Sequence, residues 1–290
     1  MADKFRLACC VLENTVLSSD IFSLRLAAPQ IAAAARPGQF VMVACRDESR
    51  LLPRPISICE ADEAKGEVRL VIRRAGRGTE EFAGLKSGES LTLTGPLGRG
   101  FPIDAGENAA LTGMPDGEFS ADGAKSAVPA GAADGRGAGE SVSLILGGGI
   151  GIAPLLGLAK ALPGRRIIVL GYRDETFMED EFAACGELYI ATESGRSGTR
   201  GNVLDAVKEH AICGDRIFAC GPTPMLRAVK RYAEAAGTPC WLSLEERMAC
   251  GIGACLGCVC RSAREDEHFH TKSRRVCTEG PVFESREVEL

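Results

Sequence analysis

Four cysteines near the carboxyl end constrain this chain more than any other feature. Cys250, Cys255 and Cys258 stand in the spacing C-x4-C-x2-C, and Cys277 follows after eighteen intervening residues. Unliganded buried thiols are the plain reading of such residues, and a two-iron centre is the one that needs four thiolates converging from a loop around a compact core. The first three have the spacing of a plant-type [2Fe–2S] site, in which four thiolates hold two irons. Gly251, Gly253 and Gly257 lie among them; glycines permit unusual backbone angles and leave N–H groups free for the sulfurs. Structural zinc prefers two similar knuckles of closely spaced cysteines, whereas Cys277 stands alone in Val276-Cys277-Thr278. Cys260 is close enough in sequence to replace Cys258 as a ligand.

The chain has 290 residues and 13 cysteines. An odd number is poorly explained by disulfides, and the nine outside the set (Cys9, Cys10, Cys45, Cys59, Cys185, Cys213, Cys220, Cys240 and Cys260) are scattered, several in apolar runs where a thiol is a small hydrophobe. The formal charge of −5 argues against a general nucleic-acid binder, which needs a basic face. The longest apolar runs, such as Val142–Leu146, are strand-sized, so no membrane span is expected. The amino terminus lacks a basic region followed by an apolar stretch, and a cytoplasmic location is the expectation.

The first hundred residues read as short strands: Phe5–Leu12, Ile21–Leu26, Phe40–Ala44, Ile56–Cys59, Val68–Ile72 and Leu91–Leu93, with Arg36-Pro37-Gly38, Gly76 to Gly78 and Lys86-Ser87-Gly88 as breakers. That rhythm predicts a small antiparallel barrel. Residues 113–139 hold seven glycines and seven alanines and read as a flexible linker. From Ser141 strands and helices alternate: strands at Val142–Leu146, Arg166–Leu170, Leu188–Thr192 and Arg216–Cys220, helices at Ala153–Leu162, Asn202–His210 and Thr223–Ala236. Alternation of this kind predicts a parallel α/β sheet. The resulting division is a barrel over 1–104, a linker over 105–140, an α/β domain over 141–238 and a small cysteine-rich domain over 239–290.

The strand Val142–Leu146 runs into Gly147-Gly148-Gly149-Ile150-Gly151, and Pro154 suits the start of a helix. A glycine turn between strand and helix lets a diphosphate approach the backbone and the helix N-terminus. A second turn, Cys220-Gly221-Pro222, follows a later strand of the same sheet. Asp174 is placed to meet an adenosine ribose hydroxyl, while Arg173 beside it would suit a 2′-phosphate, so these residues leave NAD against NADP open. Cys220 has a packing role and a place near the nicotinamide as equal readings. Glu245 and Glu246 read as solvated surface carboxylates, and none of His210, His268 and His270 has a motif around it.

In the barrel, Arg54-Pro55-Ile56-Ser57 opens a strand with a cation and a hydroxyl; Val71-Ile72-Arg73 closes another; Gly78-Thr79 offers backbone and hydroxyl donors. An arginine fork suits a diphosphate and a serine hydroxyl can bond a flavin edge. The succession of R-P-x-S, then G-P-L-G-x-G-F at Gly95–Phe101, then G-G-G-I-G-x-A-P and C-G-P resembles the ferredoxin–NADP reductase superfamily over nearly the whole chain. The resemblance implies FAD in the barrel, with Arg54 near its diphosphate and Ser57 near its ring, and a nicotinamide nucleotide in the α/β domain. Pro55 and Ile56 stand where many members carry an aromatic.

At the carboxyl end, Ser243-Leu244-Glu245 leading into Arg247-Met248-Ala249-Cys250, with Val276-Cys277 and Gly280-Pro281-Val282-Phe283, resembles the electron-transfer subunits of class 1B dihydroorotate dehydrogenase. Related subunits of ferredoxin–NADP transhydrogenases and sulfide dehydrogenases generally have aspartate in place of the first cysteine, so Cys250 favours the dihydroorotate family. That resemblance implies an FMN-containing catalytic partner, two copies of each subunit, and electron flow from dihydroorotate through FMN, a [2Fe–2S] cluster and FAD to NAD. A reductase subunit serving a transhydrogenase or sulfide oxidoreductase is the alternative.

Overall fold

The computed structural model describes residues 4–47, 49–103, 141–263, 265 and 270–290. The expected linker at 105–140 lies outside them. Alternation builds the amino-terminal half. In β1 (Phe5–Val16), β2 (Ile21–Ala27), β3 (Phe40–Val43), β4 (Arg54–Asp62), β5 (Glu67–Arg73) and β6 (Ser90–Leu97), every second side chain enters one core. That core holds Val11, Phe22, Leu24, Val41, Val43, Leu70, Ile72 and Leu93. The strands close in the order β1-β2-β5-β4-β3-β6, which leaves no free edge. Two helices not evident from sequence plug the barrel: α1 (Pro29–Ala34) contributes Ile31, and α2 (Arg77–Ala83) contributes Phe82. The Gly76–Gly78 segment, expected as a breaker, is the start of α2.

The second half is a seven-stranded sheet. β7 (Val142–Gly148), β8 (Arg165–Tyr172), β9 (Glu187–Thr192), β10 (Thr199–Arg200), β11 (Arg216–Cys220) and β12 (Cys240–Ser243) are parallel in the order β10-β9-β8-β7-β11-β12. Helices α3 (Leu155–Ala161), α4 (Glu179–Ala183), α5 (Val203–Glu209) and α6 (Thr223–Ala236) connect them.

The last fifty residues are less separate than their composition implies. β12 is a member of the sheet, and β15 (Val282–Glu284) adds an antiparallel strand to its edge. Only β13 (Val259–Ser262), β14 (Ser273–Arg275) and β16 (Val288–Glu289) form a sheet of their own. The α/β sheet therefore does not end at residue 238. Four-residue strands such as Cys-Trp-Leu-Ser are too short to announce themselves beside the glycines that follow.

Barrel and α/β domain meet across polar ties on one side. Arg69 of β5, largely buried, makes a forked pair with Glu181 of α4 and donates from Nε to Ser23 Oγ at 2.9 Å. Lys160 pairs with Glu60, and the Ser19 N–H donates to Glu175 at 2.9 Å.

Candidate functional site

The four thiols of the carboxyl-terminal set are gathered as two pairs. The Cys250 sulfur accepts N–H groups of Ile252 at 3.5 Å and Cys255 at 3.4 Å, and the Cys255 sulfur accepts the Gly257 N–H at 3.4 Å. Those donors, Ile252 first, hold the Cys250 thiol down at about 6. Cys258 and Cys277 are both buried and meet side chain to side chain; burial, then the contact with Cys258, pushes Cys277 up to about 12. Among the described residues no three Cys, His, Asp or Glu side chains are grouped as one ion would require. Two thiol pairs, one within the loop and one joining it to Cys277 beyond β14, give the number of ligands a two-iron centre takes. Cys260 lies on β13 opposite Arg274, and burial raises its thiol to about 11.

This loop rests on the barrel. A Cβ on Gly251 would come within 2.5 Å of Met42 Cγ. Phe40, Met42 and Leu97 project from the outside of the barrel into the apolar cluster that includes Val276, Cys258 and Cys277. In the β3–β4 ladder, Phe40 pairs with Ser57 and Met42 with Pro55, and residues opposite each other share a face. The thiol loop and the Pro55 and Ser57 positions therefore border the same outer face of the barrel.

Of the other residues expected around a flavin, Arg54, Gly78 and Thr79 come together. The Arg54 guanidinium lies against Gly78, where a Cβ would meet Nε at 2.6 Å, and it also bonds the Leu52 carbonyl. The Thr79 hydroxyl accepts the N–H groups of Ala75 at 2.9 Å and Gly76 at 3.1 Å, fixing the turn that starts α2. In this cradle the Arg54 guanidinium is the charged group, while the Thr79 hydroxyl is used within the turn, donating to the Gly76 carbonyl at 2.9 Å. Ile56 and Ile72 pack toward the barrel core, so backbone is what they can present to a cofactor. Val71 faces the α/β domain.

A cleft of about 520 Å³ opens at the carboxyl ends of the parallel strands, the usual place for a nucleotide in such sheets. Gly148, Gly149, Pro222 and Met225 line one end; Asp174, Glu193 and Asn202 lie on the side of β8 and β9. The two turns found in sequence interlock. A Cβ on Gly151 would stand 2.6 Å from the backbone of Cys220 and Gly221, so that glycine keeps the turns in contact. Gly147 packs against Ile152 and Leu170. Of the four glycines, Gly148 and Gly149 are the ones that face the cleft. Cys220 is buried, and burial raises its thiol, with Glu245 next and a Ser243 contact opposing.

Sequence reasoning missed several lining residues, among them Ser18, Asp20, Tyr172, Asn202 and Met225. Ser18 and Asp20 come from the β1–β2 turn and Tyr172 from the end of β8, while Asn202 caps α5 and Met225 lies in the first turn of α6. Glu245 also departs from expectation. It remains open to solvent, yet the protein around it desolvates the carboxyl and raises its affinity for a proton, and Arg73 pulls it partly back.

Among solved structures, the NADH-dependent reduced ferredoxin-NADP oxidoreductase matches with a TM-score of 0.77 and 25% identity, over 98% of this chain and 90% of that one. The ferredoxin reductase of carbazole 1,9a-dioxygenase matches in fold, with a TM-score of 0.59 and 22% identity over 81% of this chain and 67% of that one. A barrel set against a dinucleotide-type sheet in this way is a flavin reductase fold, and the thiol loop makes this one an iron–sulfur reductase. Residues 8–101 match the oxidoreductase FAD-binding domain, and residues 245–289 match the iron–sulfur cluster binding domain of dihydroorotate dehydrogenase B. An electron transfer subunit of dihydroorotate dehydrogenase B (NAD(+)) from Fusobacterium nucleatum is 36% identical over 97% of this chain and 98% of its own length. Its counterpart from a Geobacillus species is 38% identical over 97% of each. The chain belongs to the family of dihydroorotate dehydrogenase B electron transfer subunits.

Proposed function

We infer that this chain carries electrons from dihydroorotate, received through the FMN of a catalytic partner subunit, by way of a [2Fe–2S] cluster and FAD to NAD+, in pyrimidine biosynthesis. The complex holds two copies of each subunit. When bound, FAD supplies the ability to exchange a hydride with NAD and single electrons with a cluster.

The chain's own residues hold and orient these groups. Cys250 with Cys255, and Cys258 with Cys277, grip the irons, and the loop N–H groups bond their sulfurs. Arg54 and the Gly78–Thr79 start of α2 bind the FAD diphosphate; Ser57 bonds the flavin edge from the barrel's outer face. Gly148 and Gly149 let the nucleotide close on the sheet, and the buried Cys220 packs beside Gly147 beneath that turn.

The observation that carries this reading is the contact of Gly251 with Met42, which sets the thiol loop beside the Pro55–Ser57 face. A reductase subunit serving a ferredoxin–NADP transhydrogenase has support in shape from a structure at 25% identity, against 36–38% for the dihydroorotate relatives. Copurification with an FMN-containing partner, followed by dihydroorotate-dependent NADH formation, tests the inference. A complex that forms NADH from reduced ferredoxin and leaves dihydroorotate untouched would overturn it.

A further inference from the structure

Arg73 belongs by sequence to the barrel, yet it leaves the barrel behind. In β5 the side chains of Val68, Leu70 and Ile72 enter the barrel core. The alternate residues point the other way: Arg69 to Glu181 of α4, Val71 into the apolar cluster around Ile152 and Ile168, and Arg73 into the dinucleotide cleft. Its Nη2 lies 3.4 Å from where a Cβ would stand on Gly149, and apart from the glycine's chain neighbours no other described residue comes within 4 Å of that point. The far side of Gly149 is open cleft.

Charge gives this position its meaning. The described residues lining the cleft include the carboxylates Asp20, Asp174, Glu175 and Glu193, against two cations, Arg73 and Arg173. Arg173 follows β8, one strand away from the glycine turn that ends β7. Arg73 stands on the turn itself. Its Nε pairs with Asp20 at 3.3 Å, an ion pair with both partners about half exposed. The Asp20 carbonyl accepts the Arg74 N–H at 2.7 Å, so acid and base are held on adjoining strands. Arg54, by contrast, is committed to Gly78.

We propose that Arg73 binds the diphosphate of the nicotinamide dinucleotide, reaching from the barrel onto the Gly148-Gly149 turn, and exchanges Asp20 for that diphosphate. The inference rests on the cleft being the NAD site. A guanidinium fork suits two phosphate oxygens, and an exposed pair with Asp20 is weak enough to yield to them. The flavin-binding half would thereby close one side of the NAD site.

The test uses the flavin- and cluster-loaded chain with its partner. Stopped-flow reduction of the flavin gives an apparent Kd for NADH, and the FAD-to-protein ratio is measured on the same samples. Arg73→Gln is expected to raise the Kd about ten- to a hundredfold while FAD content stays at the unsubstituted level, as loss of a charged hydrogen bond implies. Asp20→Asn is expected to lower the Kd, and that gain should vanish when Arg73→Gln is combined with it. If Arg73→Gln fails to fold, Arg73→Lys, which keeps the charge without the fork, should give an intermediate Kd. An Arg73→Gln or Arg73→Lys protein with an unaltered Kd, or one that sheds FAD yet binds NADH normally once reloaded, overturns the proposal. Failure of NADH to reduce the unsubstituted protein would refute the NAD site itself, a different outcome.

Discussion

The guanidinium of Arg54 lies directly on the backbone of Gly78, joining the first residue of β4 to the first turn of α2 with no space for a side chain between them. Helix interiors disfavour glycine by about 1 kcal/mol against alanine, so its presence here follows from the arginine. Gly78→Ala should strengthen the isolated helix and still damage the site, because Arg54 must move off. The expected result is an FAD affinity lower by roughly tenfold or more, on the scale of a hydrogen bond to a charged group. Flavin content after gel filtration and flavin rebinding titrations would measure it.

Arg69 and Glu181 tie the barrel to the α/β domain, with Ser23 as a further acceptor. Removing one member leaves the other charge without its partner. Arg69→Met should lower unfolding stability by about 2 kcal/mol, less than for a fully buried pair because Glu181 is partly exposed. The double variant Arg69→Met/Glu181→Met should recover part of that loss. Urea denaturation of the three proteins reads both effects.

Glu245 gives a dependence on pH. Its carboxyl is raised by desolvation, so the folded chain keeps this proton at pH values where the unfolded chain has lost it. Below the ordinary carboxylate range the group contributes no difference. As pH rises through that range toward the raised folded value, stability is lost. Glu245→Gln should therefore be more stable than the unsubstituted protein near pH 7 and equal to it near pH 4. A stability difference that ran the opposite way would contradict the direction assigned to this carboxyl.

Cys255→Ser separates the two ends of the electron path. It removes the exposed thiol of the Cys250–Cys255 pair and leaves the Arg54 cradle and the glycine turns untouched. Flavin reduction by NADH should keep its rate, while electron exchange with the partner should fall to background. Stopped-flow absorbance and a dihydroorotate-coupled assay distinguish the two steps.

Much of this was readable from the chain. Strands with alternating burial, such as β6, state their faces in the sequence, and Arg216–Cys220 and Thr223–Ala236 are found at the bounds expected for them. The cysteine spacing singled out four thiols, which the structure brings into contact only as Cys250 with Cys255 and Cys258 with Cys277. What escaped depends on contacts distant in sequence. Gly78 reads as a breaker until Arg54 is seen lying on it. Arg73, expected beside the flavin, also lies against Gly149, a neighbour that no local pattern announces. Glu245 is exposed as its sequence context implies, and what nothing local tells is that it follows β12 to a place near Arg73 and Cys220.

The account depends on thiols arranged two and two around an iron–sulfur centre beside the flavin face. Iron, zinc and acid-labile sulfide determined on anaerobically purified chain measure this directly. The account predicts about two irons and about two sulfides per chain, with no stoichiometric zinc. One zinc per chain and no sulfide would contradict it.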